Sequence, residues 1–456
     1  MRIPSLRLAL LSGLLVLLPP LGAQSPTLSL REALGRATSD AYSNRVAGSL
    51  HEAARARAAA AGRGVLPSVR GELGAIRTDD PLGAFGFLLR QRAVTPAAFD
   101  PAGLNRPAAR TDVGTAVIGE IPLLNLDAWS GRRAALRAAE AEGARADWTA
   151  ATVQLEVVQG YLGAVLARER AAVLAAAVAA AHAHLRQAES ALRNGVVTPS
   201  DVLLAQVRLG DLETQQRSAD LEAWVARRRL ALLLGAPGDS AFALPGILPD
   251  VPDDGLVADL PTIERRGDVQ AASLDAAAAT AAATSRGAAL LPRVNAFGRY
   301  EWHDPTAPLG GRPLWTVGVM ASWSPFSGGA ELAARREARA SADAARTGRE
   351  ALEAGARLEA AAAERALAVA RLAVASTTRG AAQAVEAHRI VARKYEGGLA
   401  TVAELLDAQA TALGADLAAS RARHDLLLAL ATLRHVRGAD LMPLAAQLDA
   451  AMSTPE

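Results

Sequence analysis

Long stretches without proline constrain this 456-residue chain more than any other feature of its sequence. Residues 123–198 and 326–442 contain no proline and are rich in alanine, leucine, glutamate and arginine. Proline breaks a helix interior and alanine has the highest helix propensity, so these stretches predict very long helices. With the shorter periodic segments, we predict helices at about 30–62, 128–193, 199–235, 262–288, 330–394 and 401–437. A helix of about 66 residues is roughly 100 Å long and needs neighbours to support it.

The chain also contains an internal repeat. Landmarks in its two halves share one offset of 203 residues: Pro122 and Pro325, Leu155-Glu156 and Leu358-Glu359, Gly195 and Gly398, Ala205-Gln206 and Ala408-Gln409, Gly235-Ala236 and Gly438-Ala439. Upstream, Leu66-Pro67 and Leu291-Pro292 are offset by 225 residues, so the first copy carries 22 extra residues before Pro122. We therefore predict two internal structural repeats, each with a helix, two strands, a long helix, a turn and a shorter helix.

Alternation of apolar and polar residues predicts four β-strands, at about 66–78, 111–121, 292–302 and 314–324. Aromatic side chains stand near the ends of their apolar faces: Tyr300, Trp302, Trp315 and Trp323. Trp315 and Trp323 are eight residues apart, which in a tilted strand spans most of an apolar band about 25 Å tall. We interpret these aromatics as membrane-interface residues of β-barrel strands. A half-buried strand of a soluble sandwich alternates in the same way and is the alternative.

The number of strands has a consequence for assembly. Four strands cannot close a barrel, and lipid tolerates no open sheet edge. Strands that cross a membrane in this chain therefore require several copies, and three copies would supply twelve strands.

The first residues have the composition of an export signal. Arg2 and Arg7 precede an apolar stretch that runs from Leu8 to Leu18. Leu21-Gly22-Ala23 then offers a small-residue cleavage site. We predict a signal peptide at 1–23. An uncleaved anchor is the alternative, but the apolar stretch is short for a membrane-spanning helix.

Composition argues against several function classes. Without Arg2 and Arg7, the number of basic residues falls from 49 to 47, which equals the 47 acidic residues. The sequence contains no basic cluster with interleaved aromatics of the kind that binds nucleic acid. The chain has no cysteine, which excludes disulfides and thiolate metal sites. Only His182 and His184 are close in sequence, and a two-residue step places them on opposite helix faces. We predict no catalytic residues, no metal, no cofactor and no enzyme activity.

These features divide the chain into predicted segments. The first repeat covers 24–240 and includes an external loop at 79–110, where Asp-Pro pairs and glycines have the composition of a loop. A linker at 241–261 precedes the second repeat at 262–440, and 441–456 is a C-terminal tail.

Several motifs, in this order, resemble the TolC-type outer-membrane efflux protein family: Leu28–Leu34, Leu66-Pro67-Ser68-Val69, Ile121-Pro122-Leu123-Leu124, Leu290–Val294, Ser324–Gly329 and Lys394–Gln409. The resemblance covers residues 28–440. It implies a homotrimer with a twelve-stranded β-barrel in the outer membrane and a helical tunnel through the periplasm. It also implies a periplasmic adaptor and an inner-membrane pump as partners, and outer-membrane lipid around the barrel. The fold class predicted is an α+β membrane protein, mostly long helices, with four strands per protomer.

The resemblance also assigns residues at the periplasmic tip of the tunnel. Glu404 and Asp407 match the acidic gate of the family. They are three residues apart and therefore share a helix face. In a trimer they would form rings of carboxylates, which favour cations. Acids at a helix N-terminus are favoured by the helix dipole in any case, which is the alternative. Tyr395 and Asp201 match closed-state contacts. The predicted adaptor-facing turns are Gly195, Val196, Gly397, Gly398 and Leu399.

The chain departs from the family pattern at three places. Ala400 stands where the family's namesake uses an arginine to hold its closed state. Leu192 stands in the first tip turn at the place that Tyr395 occupies in the second. Arg266-Gly267-Asp268 replaces the Arg-Pro-Asp that often precedes the second repeat's first helix.

The function predicted is therefore the exit duct of a tripartite efflux or type I secretion system. An exported coiled-coil scaffold is the alternative, because it would also explain long helices and a repeat. It predicts sustained heptads, which this chain lacks, and it leaves the matched strands unexplained. A secreted enzyme would require a constellation of acid, base or nucleophile that is absent from the sequence.

Overall fold

The computed structural model describes residues 27–236, 242–249, 255–258 and 260–453. The predicted signal peptide lies outside these residues, as do parts of the predicted linker and the last residues of the predicted tail. The α-helices are α1 (Leu30–Asp40), α2 (Tyr42–Ala60), α3 (Pro81–Arg90), α4 (Pro101–Asn105), α5 (Leu126–Arg193), α6 (Pro199–Leu233), α7 (Gly255–Ala258), α8 (Gly267–Ala288), α9 (Ala330–Glu396), α10 (Val402–Val436) and α11 (Met442–Ser453). The strands are β1 (Ser68–Thr78), β2 (Arg110–Leu124), β3 (Arg293–Asp304) and β4 (Leu314–Ser322).

Two helices dominate the molecule. Helices α5 and α9 have 68 and 67 residues, so each is about 100 Å long. Each turns back into a 35-residue partner, α6 or α10, to form a long helical hairpin. None of the helices in the described part of the chain is apolar over a length that could cross a membrane.

The four strands form one antiparallel sheet in the order β1-β2-β3-β4, so both repeats contribute a hairpin to it. The register places Val117 opposite Tyr300, and Tyr300 opposite Trp315, on one face. In the adjacent row of paired residues, Glu72 is opposite Ala116 and Ala116 is opposite Glu301, and these side chains point to the other face. The predicted alternation of an apolar and a polar face is present across all four strands.

The main hydrophobic core lies midway along the helices. There α1, α11 and the segment 242–249 pack against α5 and α10, and Tyr161 donates a hydrogen bond from its buried hydroxyl to the Leu28 carbonyl (2.8 Å). The segment predicted only as a tail contains α11, whose Leu444 and Leu448 are fully buried. Pro443 stands in the first turn of α11, where proline is tolerated.

The predicted helix at 30–62 is instead two helices with a break at Ala41. The end of α1 packs tightly against the turn after α6, where a β-carbon on Gly235 would lie 2.2 Å from the Asp40 carbonyl oxygen. The side chain of Asn44 donates a hydrogen bond to the carbonyl of Ala37 (2.9 Å) across the break. Long-range packing and a local side chain therefore set this boundary.

The insertion at 79–110 is not a simple loop, because it contains α3, α4 and a 3-10 turn at Pro96–Phe99. Asp80 accepts a hydrogen bond from the Gly83 amide (2.7 Å), and Asp100 accepts one from the Gly103 amide (3.0 Å). The Asp-Pro pairs that suggested loop composition are thus helix starts, with aspartate as the N-cap and proline as the first helical residue.

Candidate functional site

The two long hairpins end in turns of the same construction. Gly195 and Gly398 have φ angles of +72° and +73°, which glycine adopts without steric cost. Beyond Gly398, the amide of Leu399 donates back to the carbonyl of Lys394 (2.8 Å), and Val196 makes the equivalent bond in the first hairpin. These are Schellman-type C-caps. The side chains of Val196 and Leu399 are 75% and 82% exposed, so the predicted adaptor-facing turns present apolar groups to solvent.

Each hairpin restarts with a capping box. Asp201 accepts hydrogen bonds from the Thr198 amide (2.8 Å) and hydroxyl (2.7 Å), and Glu404 accepts the same pair from Thr401 (2.7 and 3.0 Å). The backbone hydrogen bond from the threonine, followed by the bond from its hydroxyl, lowers the pKa of each carboxyl. Asp201 and Glu404 are 203 residues apart, so they are the same position of the repeat.

This geometry distinguishes the two predicted gate acids. The Glu404 carboxylate is turned back to the start of its own helix and caps it. Asp407 lies one turn further along α10 and is exposed. Glu404 therefore lies at the helix N-terminus, as the alternative requires, and it also caps the helix, which was not predicted. The assignment of a gate stays a prediction that depends mainly on Asp407.

The predicted closed-state pair lies at the same tip. Tyr395 is half-buried, and its burial, followed by the negative charge of Asp201, raises the pKa of its hydroxyl. The hydrogen bonds of Asp201 at the tip go to Thr198, and none joins it to Tyr395 among the described residues.

The polar face of the sheet carries a network of charges. Arg299 forms an ion pair with Glu72 on the first strand (3.5 Å). His303 contacts Asp112 with its Nδ1 atom (2.7 Å), and both side chains are buried. The predictions from sequence included neither His303 nor Asp112. Both alternate with apolar residues along their strands, and this pattern could have placed them on the polar face. Within the described part of the chain, no group of three or more potential ligands could hold a metal ion.

The predicted interface aromatics occupy two levels of the sheet. Tyr300 and Trp315 are paired across neighbouring strands, and the Tyr300 and Trp302 rings pack edge to face with centroids 4.9 Å apart. Trp323 lies beyond the other end of β4 and donates from its indole to the Leu290 carbonyl (3.1 Å). Trp129, at the start of α5, is also exposed; it lies within the predicted helix at 128–193 and was not among the predicted interface residues.

The long hairpins and the sheet with one apolar and one polar face define the class of an outer-membrane exit channel with a helical stalk. The family model described as outer membrane efflux protein matches residues 45–236 and 262–439. The chain belongs to this family. The predicted outer-membrane location, with the helices in the periplasm, and the predicted function as an exit duct are thereby confirmed.

Solved structures share the fold at low sequence identity. A membrane protein from Pseudomonas aeruginosa is 23% identical, with a TM-score of 0.76 over 90% of this chain and 93% of its own. The outer membrane protein VceC from Vibrio cholerae is 18% identical, with a TM-score of 0.76 over 90% and 96%. The CmeC outer membrane channel from Campylobacter jejuni is 16% identical, with a TM-score of 0.75 over 96% and 93%. These similarities confirm the predicted fold class. A comparison with curated proteins found no match.

Proposed function

We propose that three copies of this chain assemble head to tail into one continuous duct. The observation that supports this is the pair of unfinished edges on a single copy. Among the described strands, β1 and β4 each have one neighbour in the sheet. Unpaired backbone groups in lipid are costly, so these edges must pair with other copies.

The helices have matching open edges. Helices α2 and α6 pack on α5 at one side of the molecule, and α9 packs on α8 and α10 at the other. Both edges expose apolar side chains, including Leu358 and Leu372 on α9 and Val207 and Trp224 on α6. Contact of the α9 edge of one copy with the α2 and α6 edge of the next is heterologous, and such a contact forms a closed ring of three when each copy is rotated by a third of a turn.

The dimensions favour a channel. Twelve strands spaced about 4.8 Å apart and tilted by about 40° enclose a backbone radius of roughly 12 Å. The charged face, with Arg299 and Glu301, would line the interior, and the face with Val117 and Trp315 would contact lipid. The repeats at 24–240 and 262–440 would then each supply one barrel hairpin and one tunnel hairpin.

We further propose that the tip contacts a periplasmic adaptor that links the duct to an inner-membrane pump. The exposed Val196 and Leu399 at the ends of both hairpins support this, because apolar groups at a solvent-facing tip favour a protein partner. Asp407, placed on the first turns of α10, would form a ring of three carboxylates that favours cations at the entrance.

Single-channel conductance of the purified protein in a planar bilayer tests these proposals. We expect a stable pore whose cation preference decreases in Asp407→Asn. Glu404→Gln is the matched control, because that carboxylate is engaged by Thr401, and we expect a smaller effect on selectivity. A coiled-coil scaffold would give no pore and would not partition into the outer-membrane fraction as a heat-sensitive trimer.

A further inference from the structure

Helix α3 lies on the polar face of the sheet, the face that would line the barrel interior. A cavity of about 300 Å³ separates them; its lining includes Phe87, Arg90, Glu72, Gly114, Glu301 and His303. By the strand register, Glu72, Glu301 and His303 lie in the rows of the polar face. Leu73 and Thr115, from the row between them, also line the cavity. The insertion therefore folds back over the interior side of the sheet and does not extend away from it.

Specific contacts hold α3 in this position. The side-chain amide of Gln91, just after the helix, donates to the Thr111 carbonyl (3.0 Å) and to Asp112 (2.9 Å). Asp112 in turn contacts His303, which links the insertion to the third strand. Phe87 and Leu88 on the inner side of the helix are more than nine-tenths buried.

The opposite side of α3 is not covered by any of the residues that the structure describes in one copy. Leu82 and Leu89 are seven residues apart, so they share a face, and they are 81% and 54% exposed. Gly86 lies between them and has open space beside it. A helix that is apolar on all sides is normally buried on all sides, and Arg90 is the single charged residue of α3.

We propose that the α3 helices of three copies meet on the axis of the barrel and form a constriction at its outer mouth, which sets what can leave the duct. This rests on the proposed trimer. A helix about 10 Å in diameter that packs on a wall of roughly 12 Å backbone radius occupies the space from that wall to the axis, so three such helices must meet there. Three such helices leave no wide opening at that level, and Leu82 and Leu89 of each copy are covered by the other two.

The constriction is specific in position and chemistry. It lies at the level of residues Glu72 to Thr78 of β1, which is further from the helices than the level of Tyr300 and Trp315. Asp407 lies at the opposite end of the duct. Its surface is apolar, so it opposes the passage of water and ions until the three helices separate. It forms a second narrow point, built from residues that the second repeat lacks.

The absence of cysteine from the chain allows a direct test. We expect Leu89→Cys to form disulfide-linked pairs of subunits within the trimer under mild oxidation. Leu309→Cys is the matched control: this exposed leucine is anchored by its amide to Thr115 (3.2 Å), on the opposite side of the sheet from α3, and we expect no cross-link there. Cross-linked Leu89→Cys should conduct less, and reduction should restore its conductance.

A second measurement is independent of the periplasmic tip. Met320→Cys places a thiol on the polar face deep in the barrel, where Met320 pairs with Asn295. Labelling of this thiol by a bulky maleimide added outside cells should be several-fold faster when Leu82 and Leu89 are both changed to serine. The same change at Leu309 should have no effect.

Two outcomes would overturn the inference and leave the proposed duct intact. One is a stable trimeric pore in which Leu89→Cys cross-links no better than Leu309→Cys. The other is equal labelling of Met320→Cys with and without the two serines. A folded chain that forms neither a trimer nor a pore would remove the proposed function and the inference together.

Discussion

Three glycines at helix ends have nearly the same backbone conformation but different surroundings, and they allow a graded test of the packing. Gly195, Gly438 and Gly235 have φ angles of +72°, +70° and +67°. A β-carbon on Gly195 would meet no atom within 4 Å. On Gly438 it would lie 3.4 Å from the backbone of Arg266, and on Gly235 it would lie 2.2 Å from the Asp40 carbonyl oxygen.

Replacement of each glycine by alanine should therefore cost different amounts of stability. The left-handed conformation costs a residue with a β-carbon about 1 kcal/mol, and this is the whole expected loss at Gly195. At Gly438 we expect a loss of about 1–2 kcal/mol, because the contact is only tight. At Gly235 the backbone must move, so an overpacking cost of about 1–3 kcal/mol is added and the total reaches about 2–4 kcal/mol.

The assay is urea unfolding of the detergent-solubilised protein, followed by the helical signal in circular dichroism at one fixed protein concentration. The midpoints should fall in the order Gly195→Ala, Gly438→Ala, Gly235→Ala, from the smallest loss to the largest. Equal losses for Gly195→Ala and Gly235→Ala would refute the reasoning, because backbone conformation alone would then explain the need for glycine. The turn after α6 would have no close approach to the end of α1.

Three further changes test the tip and the start of α8. Thr401→Ala removes the side-chain acceptor at the N-cap of α10, so we expect about 1 kcal/mol less protection of the first-turn amides in hydrogen exchange, with distant amides unchanged. The pKa values of Asp201 and Glu404 are held below their ordinary 3.8 and 4.5, so the stability that these caps contribute is fully present above those values and is lost as pH falls through the lower folded values. Protection factors at both tips should therefore be constant near neutrality and fall only in this acidic range; a decrease already at pH 6 would contradict this assignment. Gly267→Ala places a β-carbon 2.9 Å from the Ala144 carbonyl and from the β-carbon of Trp148, and should cost about 1–3 kcal/mol in urea unfolding, whereas Gly210→Ala, at an open position of α6, should not.

The long helices were predictable because local residues determine their ends. The predicted helix at 128–193 is observed at Leu126–Arg193, and the one at 330–394 is observed at Ala330–Glu396. Pro122 and Pro325 stand just before these helices, and the left-handed glycines Gly195 and Gly398 follow them. The break between α1 and α2 could not be predicted in this way, because it depends on packing against a turn almost two hundred residues away.

The candidate site was predictable in position but not in detail. The sequence placed Glu404 and Asp201 at the tip, and the pattern of threonine followed three residues later by an acid could have identified both as capping boxes. The pairing of Asp112 with His303 joins residues 191 apart and follows from strand register alone. The position of α3 was also beyond prediction, since a composition of Asp-Pro pairs and glycines does not indicate which face of a sheet the segment covers.

Departures from the repeat indicate where the two ends of the duct can differ in function. Most of the molecule is duplicated, including the glycine turns and the capping boxes, so a trimer would present six tip hairpins of nearly equal geometry. The two tip hairpins differ at Tyr395, because the equivalent residue of the first hairpin is Leu192. Helix α3 interrupts the repeat at the other end, because the second hairpin of the sheet is connected there by residues 305–313, which contain no helix. Symmetric parts can only set the dimensions of the tunnel, so opening and closing are expected to depend on these two asymmetric elements, one at each end.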